Sequence, residues 1–158
     1  MKVLGICLIM LLAALNCLSQ RKPVFSDYPA HKVFKGKPAR VDLSSAPGSR
    51  YFRTRLREAA AAGSNFAGYY AIGLWGCGSP CIRAGMIDLR TGKVTWPPNP
   101  EMLVFDIAFR VDSRLVVINS REVLEKARPT GPPIWVGDEW PPELFFVWNG
   151  RRFVDVTP

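Results

Sequence analysis

Two cysteines stand four positions apart in Trp75-Gly76-Cys77-Gly78-Ser79-Pro80-Cys81. A thiol pair that close can form a bridge, exchange electrons, help hold a metal ion or supply a nucleophile. A bridge makes a geometric demand: extended backbone would set the two Cα atoms about 13 Å apart, at roughly 3.3 Å per residue, whereas a disulfide needs about 4.4–6.8 Å. The chain must double back between them, and Gly76, Gly78 and Pro80 are residue types that permit it. The closed loop is tiny, so the chain-entropy treatment gives only about 2 kcal/mol, and such a bond shapes a loop more than it holds up a fold. A thioredoxin-like pair would have two intervening residues and a βαβ context, and neither holds here. Metal binding would need two further ligands, and a nucleophilic cysteine would need a base. His31 is the single imidazole in the chain, so both readings lean on it. A strained, switchable bridge is the remaining alternative. No catalytic residue, metal site or cofactor is assigned.

Other side chains offer weaker chemistry. Asp88, Asp106, Asp112, Glu122 and Asp155 could include an acid/base pair, but spacing does not join any two of them, and Asp88 and Asp112 adjoin expected turns, where Asp is common for backbone reasons. Arg50, Arg53 and Arg57 recur at i, i+3 and i+7, with Arg55 between them, and could clamp an anion from one helix side; solvated helix arginines are the ordinary case. Trp75, Trp135 and Trp140 are candidate loop contacts. An aromatic rim competes there with a Trp simply covering a sheet edge.

The elements that must position these groups follow from pattern. Residues 33–35 and 38–43 read as short strand material around Gly36. Ser44, Ser45 and Pro47 supply a helix start, and the helix should cover residues 47–62, with Phe52, Leu56, Ala59 and Ala60 inward and Gly63 as the stop. Residues 66–75 alternate, with Tyr70, Ile72 and Leu74 on one face and Ala67, Tyr69, Ala71, Gly73 and Trp75 on the other. The small residues of that second face predict close approach of another element. Residues 82–89 and 93–96 form a hairpin about Arg90-Thr91-Gly92. Residues 103–111 and 114–119 form a second pair about Asp112-Ser113, and residues 144–148 and 152–156 a third about Asn149-Gly150-Arg151. Two proline-rich connections, 96–100 and 128–142, belong at the surface or over an edge. The expected fold is α+β: a predominantly antiparallel meander with one N-terminal amphipathic helix packed on the sheet.

The chain has 158 residues, of which 48% are hydrophobic and 22% charged, which suits a packed core and excludes a disordered polycation. Lys2 precedes an apolar run to Leu18 that ends abruptly at Ser19-Gln20-Arg21. This reads as a secretory signal over residues 1–19, too short to span a bilayer, which takes about 20 apolar residues. An extended lead-in (20–31) and one globular domain (32–158) would follow, in the periplasm or secreted. Ala14-Leu15-Asn16-Cys17 partly matches a lipid-attachment pattern; Asn16 stands where a small residue is expected, so anchoring through Cys17 fits less well.

Charge is concentrated at the front. Residues 20–57 carry ten basic and two acidic side chains, whereas residues 58–158 carry ten basic and eleven acidic. Such a one-sided field favours anionic partners, here an acidic protein face or an anionic envelope component such as phospholipid head groups or acidic glycans. It also serves simply as a solvated basic surface. Export disfavours nucleic acid, and no transmembrane segment is expected after signal cleavage.

Asn65-Phe66-Ala67-Gly68-Tyr69-Tyr70, then Trp75-Gly76-Cys77-Gly78 with Cys81, then Ile87-Asp88-Leu89-Arg90-Thr91-Gly92-Lys93-Val94, resemble a group of small, uncharacterised exported bacterial proteins sharing an N-F-A-G-x-Y, W-G-C-G-x-x-C, I-D-x-x-T-G-x-V order. Arg53–Glu58, Asp112-Ser113-Arg114-Leu115 and Phe146-Val147-Trp148-Asn149-Gly150 fit the same outline, which covers roughly residues 38–156. The resemblance implies an envelope or secreted location and brings no activity. The Pro- and Trp-rich stretch at 128–142 departs from it. Together these readings lead to an exported, non-catalytic binding module, with an inhibitor or immunity-type role as one form. An enzyme of cell-wall or thiol chemistry is the alternative.

Overall fold

The computed structural model describes residues 21–30, 32–78, 81–98, 104–126 and 141–158. Within them the elements run α1 (Arg53–Ala62), β1 (Tyr70–Gly78), β2 (Cys81–Asp88), β3 (Val94–Thr95), β4 (Ile107–Phe109), β5 (Leu115–Ile118), α2 (Arg121–Lys126), β6 (Leu144–Trp148) and β7 (Phe153–Asp155), after a single 3-10 turn at Phe25–Asp27. The strands form two antiparallel meanders rather than one: β1-β2-β3 and β4-β5-β6-β7. The class is α+β and β-dominated, with α1 packed on β1 and β2.

Alternation explains how the layers stack. One face of the first sheet contributes Tyr70, Ile72 and Met86 to a core shared with Ile107, Val116, Ile118 and Trp148 of the second. The other face, through Ala71, Trp75 and Ile87, meets Leu56 and Ala60 of α1. On the far side of the second sheet, Leu115, Val117, Phe145 and Val147 are covered by Phe25 and Tyr28 of the N-terminal segment. All four residues of β5 are buried; flanked on both faces, it reads as an unbroken apolar run.

Close approach of α1 depends on missing side chains. A Cβ on Gly73 would lie 2.8 Å from the Ala59 Cβ, and one on Gly85 would lie 2.7 Å from Leu56 Cδ2. The small-residue face of β1 therefore meets the helix, as its alternation predicted.

The helix starts later than expected. Its body, Arg-Thr-Arg-Leu-Arg-Glu and four alanines, is rich in strong helix formers, but Gly48 adopts φ +77°, outside the helical region. Residues 46–52 instead make isolated turns, with Ser49, Tyr51 and Phe52 N–H groups donating to Ala46, Gly48 and Ser49 carbonyls. Phe52 stands at the N-cap without a side-chain cap bond. Ser44 and Ser45 fold onto Asp42: the Ser44 N–H donates to Asp42 Oδ1 (2.9 Å) and the Ser45 hydroxyl to the Asp42 carbonyl (2.6 Å). Two of the expected strand segments, 33–35 and 38–43, form no strand, and only a bridge between Asp42 and Lys93 remains. The stop at Gly63 (φ +91°) and the turns at Gly92 (φ +78°) and Gly150 (φ +94°) stand where expected.

Candidate functional site

The β1–β2 ladder sets the geography. Tyr70 pairs with Asp88 at one end and Trp75 with Arg83 toward the other, about 17 Å away at about 3.3 Å per residue. A cleft opens at each end.

At the far end the register shifts between Gly76 and Gly78, and Cys77 and Cys81 form a disulfide with Cα atoms 5.2 Å apart. The chain doubles back as the glycines allowed. Both sulfurs are committed to the bond, so the metal-ligand and nucleophile readings find no thiol in this state. Among the described residues no group of three His, Cys, Asp or Glu side chains could hold a metal. His31 lies outside the described residues.

Beside this tip, Pro47, Tyr51, Phe52, Trp75, Arg83 and Trp96 line a cleft of about 450 Å³ together with Ile82, Pro97 and Pro98. Phe52 is the hub, its ring 5.0 Å from Trp75 and 5.7 Å from Trp96, while the two indoles are 6.3 Å apart. Tilted and edge-on contacts of this kind add to area burial. The turn at Gly48 places this wall: by keeping residues 47–52 out of the helix, it lets Trp96 Nε1 donate to the Pro47 carbonyl (2.8 Å). Arg83 lies 5.9 Å above the Phe52 ring. Tyr51 is 87% exposed, an unusual position for a large aromatic.

Trp75, expected at a loop contact, lies within β1 and is only 9% exposed. Its place opposite the helix drives it into the core, so it backs the cleft rather than presenting a loop. Trp135 and Trp140 lie outside the described residues. Of the four arginines, Arg50 precedes α1, in the turns that Gly48 imposes, and Arg53, Arg55 and Arg57 belong to the helix. Arg55 pairs with Glu58 at 3.2 Å, a fully solvated pair of little energetic weight. Arg50, Arg53, Arg57 and Arg83 enter no ion pair among the described residues.

The carboxylates are not gathered into a pair. Asp88 holds Arg90 at 2.7 Å. Burial raises its proton affinity, but the Arg90 hydrogen bonds and charge outweigh burial and leave its pKa below the ordinary value. Burial pushes Asp106 up. Glu122 is lowered by its Lys126 hydrogen bond and Asp155 by the Thr157 hydroxyl and N–H.

No family model matches the chain, and neither a curated protein nor a solved structure does. What the site can do must therefore be read from its own residues. The disulfide, and the fact that no helix among the described residues is long and apolar enough to cross a membrane, are compatible with an extracellular or periplasmic protein. The residues that pattern reading did not single out are Tyr51, Phe52, Arg83 and Trp96 as one wall. They come from three separate stretches, and only the tertiary fold joins them.

Proposed function

We propose that the protein is an exported binding module whose aromatic cleft, beside the Cys77–Cys81 tip, takes an apolar side chain of an acidic protein partner. The observation that carries this reading is the composition of the cleft: four aromatic rings and Arg83, with no carboxylate, serine or threonine hydroxyl, thiol or imidazole among its described lining residues. Aromatic and arginine side chains are those that dominate protein interfaces. Arg50 and Arg53, on either side of the Tyr51-Phe52 wall in sequence, extend the positive field along its rim and would steer an acidic face toward it. The disulfide fixes the β1–β2 tip and so holds the cleft's second wall before binding, which lowers the ordering cost. An inhibitor or immunity-type role is one form this recognition takes.

The test compares the tagged exported protein with an R50Q/R53Q/R57Q/R83Q variant in retention of acidic envelope proteins across a salt series. Retention by the wild type should fall as salt rises, and the variant should retain at least about tenfold less with a flatter salt dependence. Equal retention by both would overturn the reading. Binding of both proteins to phosphatidylglycerol vesicles, but not to any protein, would favour a membrane surface instead.

A further inference from the structure

The second cleft, at the Tyr70–Asp88 end of the ladder, has different chemistry. It also encloses about 450 Å³, and is lined by Lys32, Tyr69, Arg90, Arg114, Trp148 and Asn149 with small residues between them. These come from five stretches of chain that the two sheets and the N-terminal segment bring together. The Ala67-Gly68 turn makes that convergence possible. Ala67 holds φ +42°, a left-handed conformation rare for a residue with a Cβ. Its N–H donates to the Ser113 carbonyl, and Gly68 donates to Val111 and accepts from Phe34. A Cβ on Gly68 would collide with the Lys32 carbonyl, so this glycine lets the chain around Lys32 close over the turn.

Donors outnumber acceptors in this cleft. Arg90 Nε and Nη2 donate to the two Asp88 oxygens at 3.0 and 2.7 Å, and its guanidinium lies 4.5 Å over the Tyr69 ring. These bonds, with a longer one from Nη2 to the Tyr70 hydroxyl (3.5 Å), fix the fork and leave both Nη1 N–H groups without an acceptor among the described residues. Arg114 is anchored only through Nε to the Pro29 carbonyl, at 3.4 Å, which leaves its Nη1 and Nη2 donors unclaimed. Lys32 has no ion pair among the described residues, and neither has Arg114. The Asn149 carbonyl oxygen is spent on the Arg151 and Arg152 N–H groups, 2.9 Å each, so that side chain too can offer only donors. No carboxylate is among the described residues that line the cleft, and Arg90 already neutralises the nearby Asp88.

We infer that this cleft binds the phosphoryl group of a small molecule, at a site separate from the aromatic cleft. Three cations on different elements suit a tetrahedral dianion with several oxygens better than a carboxylate with two, and preset guanidinium forks match phosphate geometry. The cleft is small enough to select a compact ligand. Held by Asp88 and the Tyr69 ring, the Arg90 guanidinium loses little freedom when the anion arrives.

The test is titration of the exported protein with inorganic phosphate at constant ionic strength, following the Trp148 indole N–H resonance, assigned by its disappearance in W148F. The resonance should shift and saturate. Lys32→Gln, at an exposed position with no ion pair among the described residues, should weaken binding about tenfold, and Arg114→Gln by a similar factor. Phosphate should raise the thermal midpoint of the wild type more than that of either variant. A resonance that never moves, equal shifts in all three proteins, or equal response to acetate would each overturn the assignment. Phosphatidylglycerol vesicles identify the source: Lys32-dependent binding to them points to a lipid headgroup, and phosphate binding without vesicle binding points to a soluble phosphate.

Discussion

At the Cys77–Cys81 end of the β1–β2 hairpin, a covalent bond and a cluster of aromatic rings define a cleft with apolar walls and one lining arginine, Arg83. At the Tyr70–Asp88 end the same two strands carry a cleft shaped by an ion pair, stacked tyrosine and polar turns. One ladder thus carries two chemically different clefts, and the difference lies in what fixes each end. The aromatic end is held by packing and sulfur, which do not respond to proton concentration. The other is held by charge, which does.

The contrast can be broken most forcefully through packing. Gly85→Val would push its Cβ into Leu56, Trp75 and Trp96 and should destabilise the protein by about 2–3 kcal/mol, within the range for overpacked cores. Urea denaturation would measure it; a loss under about 0.5 kcal/mol would mean the helix does not press on the aromatic cleft as described. Replacing both cysteines with serine should cost about 2 kcal/mol. Hydrogen exchange should quicken around Trp75 and Arg83 while the amides near Tyr70 and Asp88 keep their protection. Uniform acceleration along both strands would erase the distinction between the ends.

The smallest effect concerns the charged end and sharpens the comparison by pH. Asp88 is held below its ordinary pKa in the folded chain, so its pair with Arg90 contributes fully above the unfolded carboxylate range. That contribution is lost as pH falls through the lowered folded value. Asp88→Asn should therefore lower stability by under about 1 kcal/mol at neutral pH, as the pair is partly solvated, and have no net effect in strong acid. Parallel pH–stability curves for wild type and variant would contradict the role given to this pair.

Much of this architecture was legible in residue pattern because the deciding interactions are local. Asn149-Gly150 and Thr91-Gly92 announce turns through conformations that glycine reaches easily, Gly63 ends a helix for the same reason, and Ala71 and Gly73 reveal a packed helix by what they lack. Gly76 and Gly78 supply the bend that the disulfide needs. The helix start was misread because Ser44 and Ser45 look like caps, whereas Gly48 at φ +77° and the reach of Asp42 settle the local backbone otherwise. The split into two sheets was hidden because each strand alternates in the same way whichever sheet it joins. Helix α2 is only six residues long, too short for periodicity to reveal. The clefts were the least legible features: Lys32, Arg90, Arg114 and Asn149 are far apart in sequence, and nothing local to any of them marks a shared site. Trp75 was misplaced because a tryptophan beside a glycine-rich bend looks like a loop residue until the helix opposite it is known.

The most direct measurement places a photo-crosslinking amino acid at Tyr51, whose side chain is 87% exposed, in the full chain. Irradiated with a bacterial envelope extract, the protein should give a discrete adduct with an acidic protein, strongly reduced when Arg53 and Arg83 are changed to glutamine. Irradiation that yields no adduct, or the same adducts in the arginine variant, would contradict recognition through the aromatic cleft.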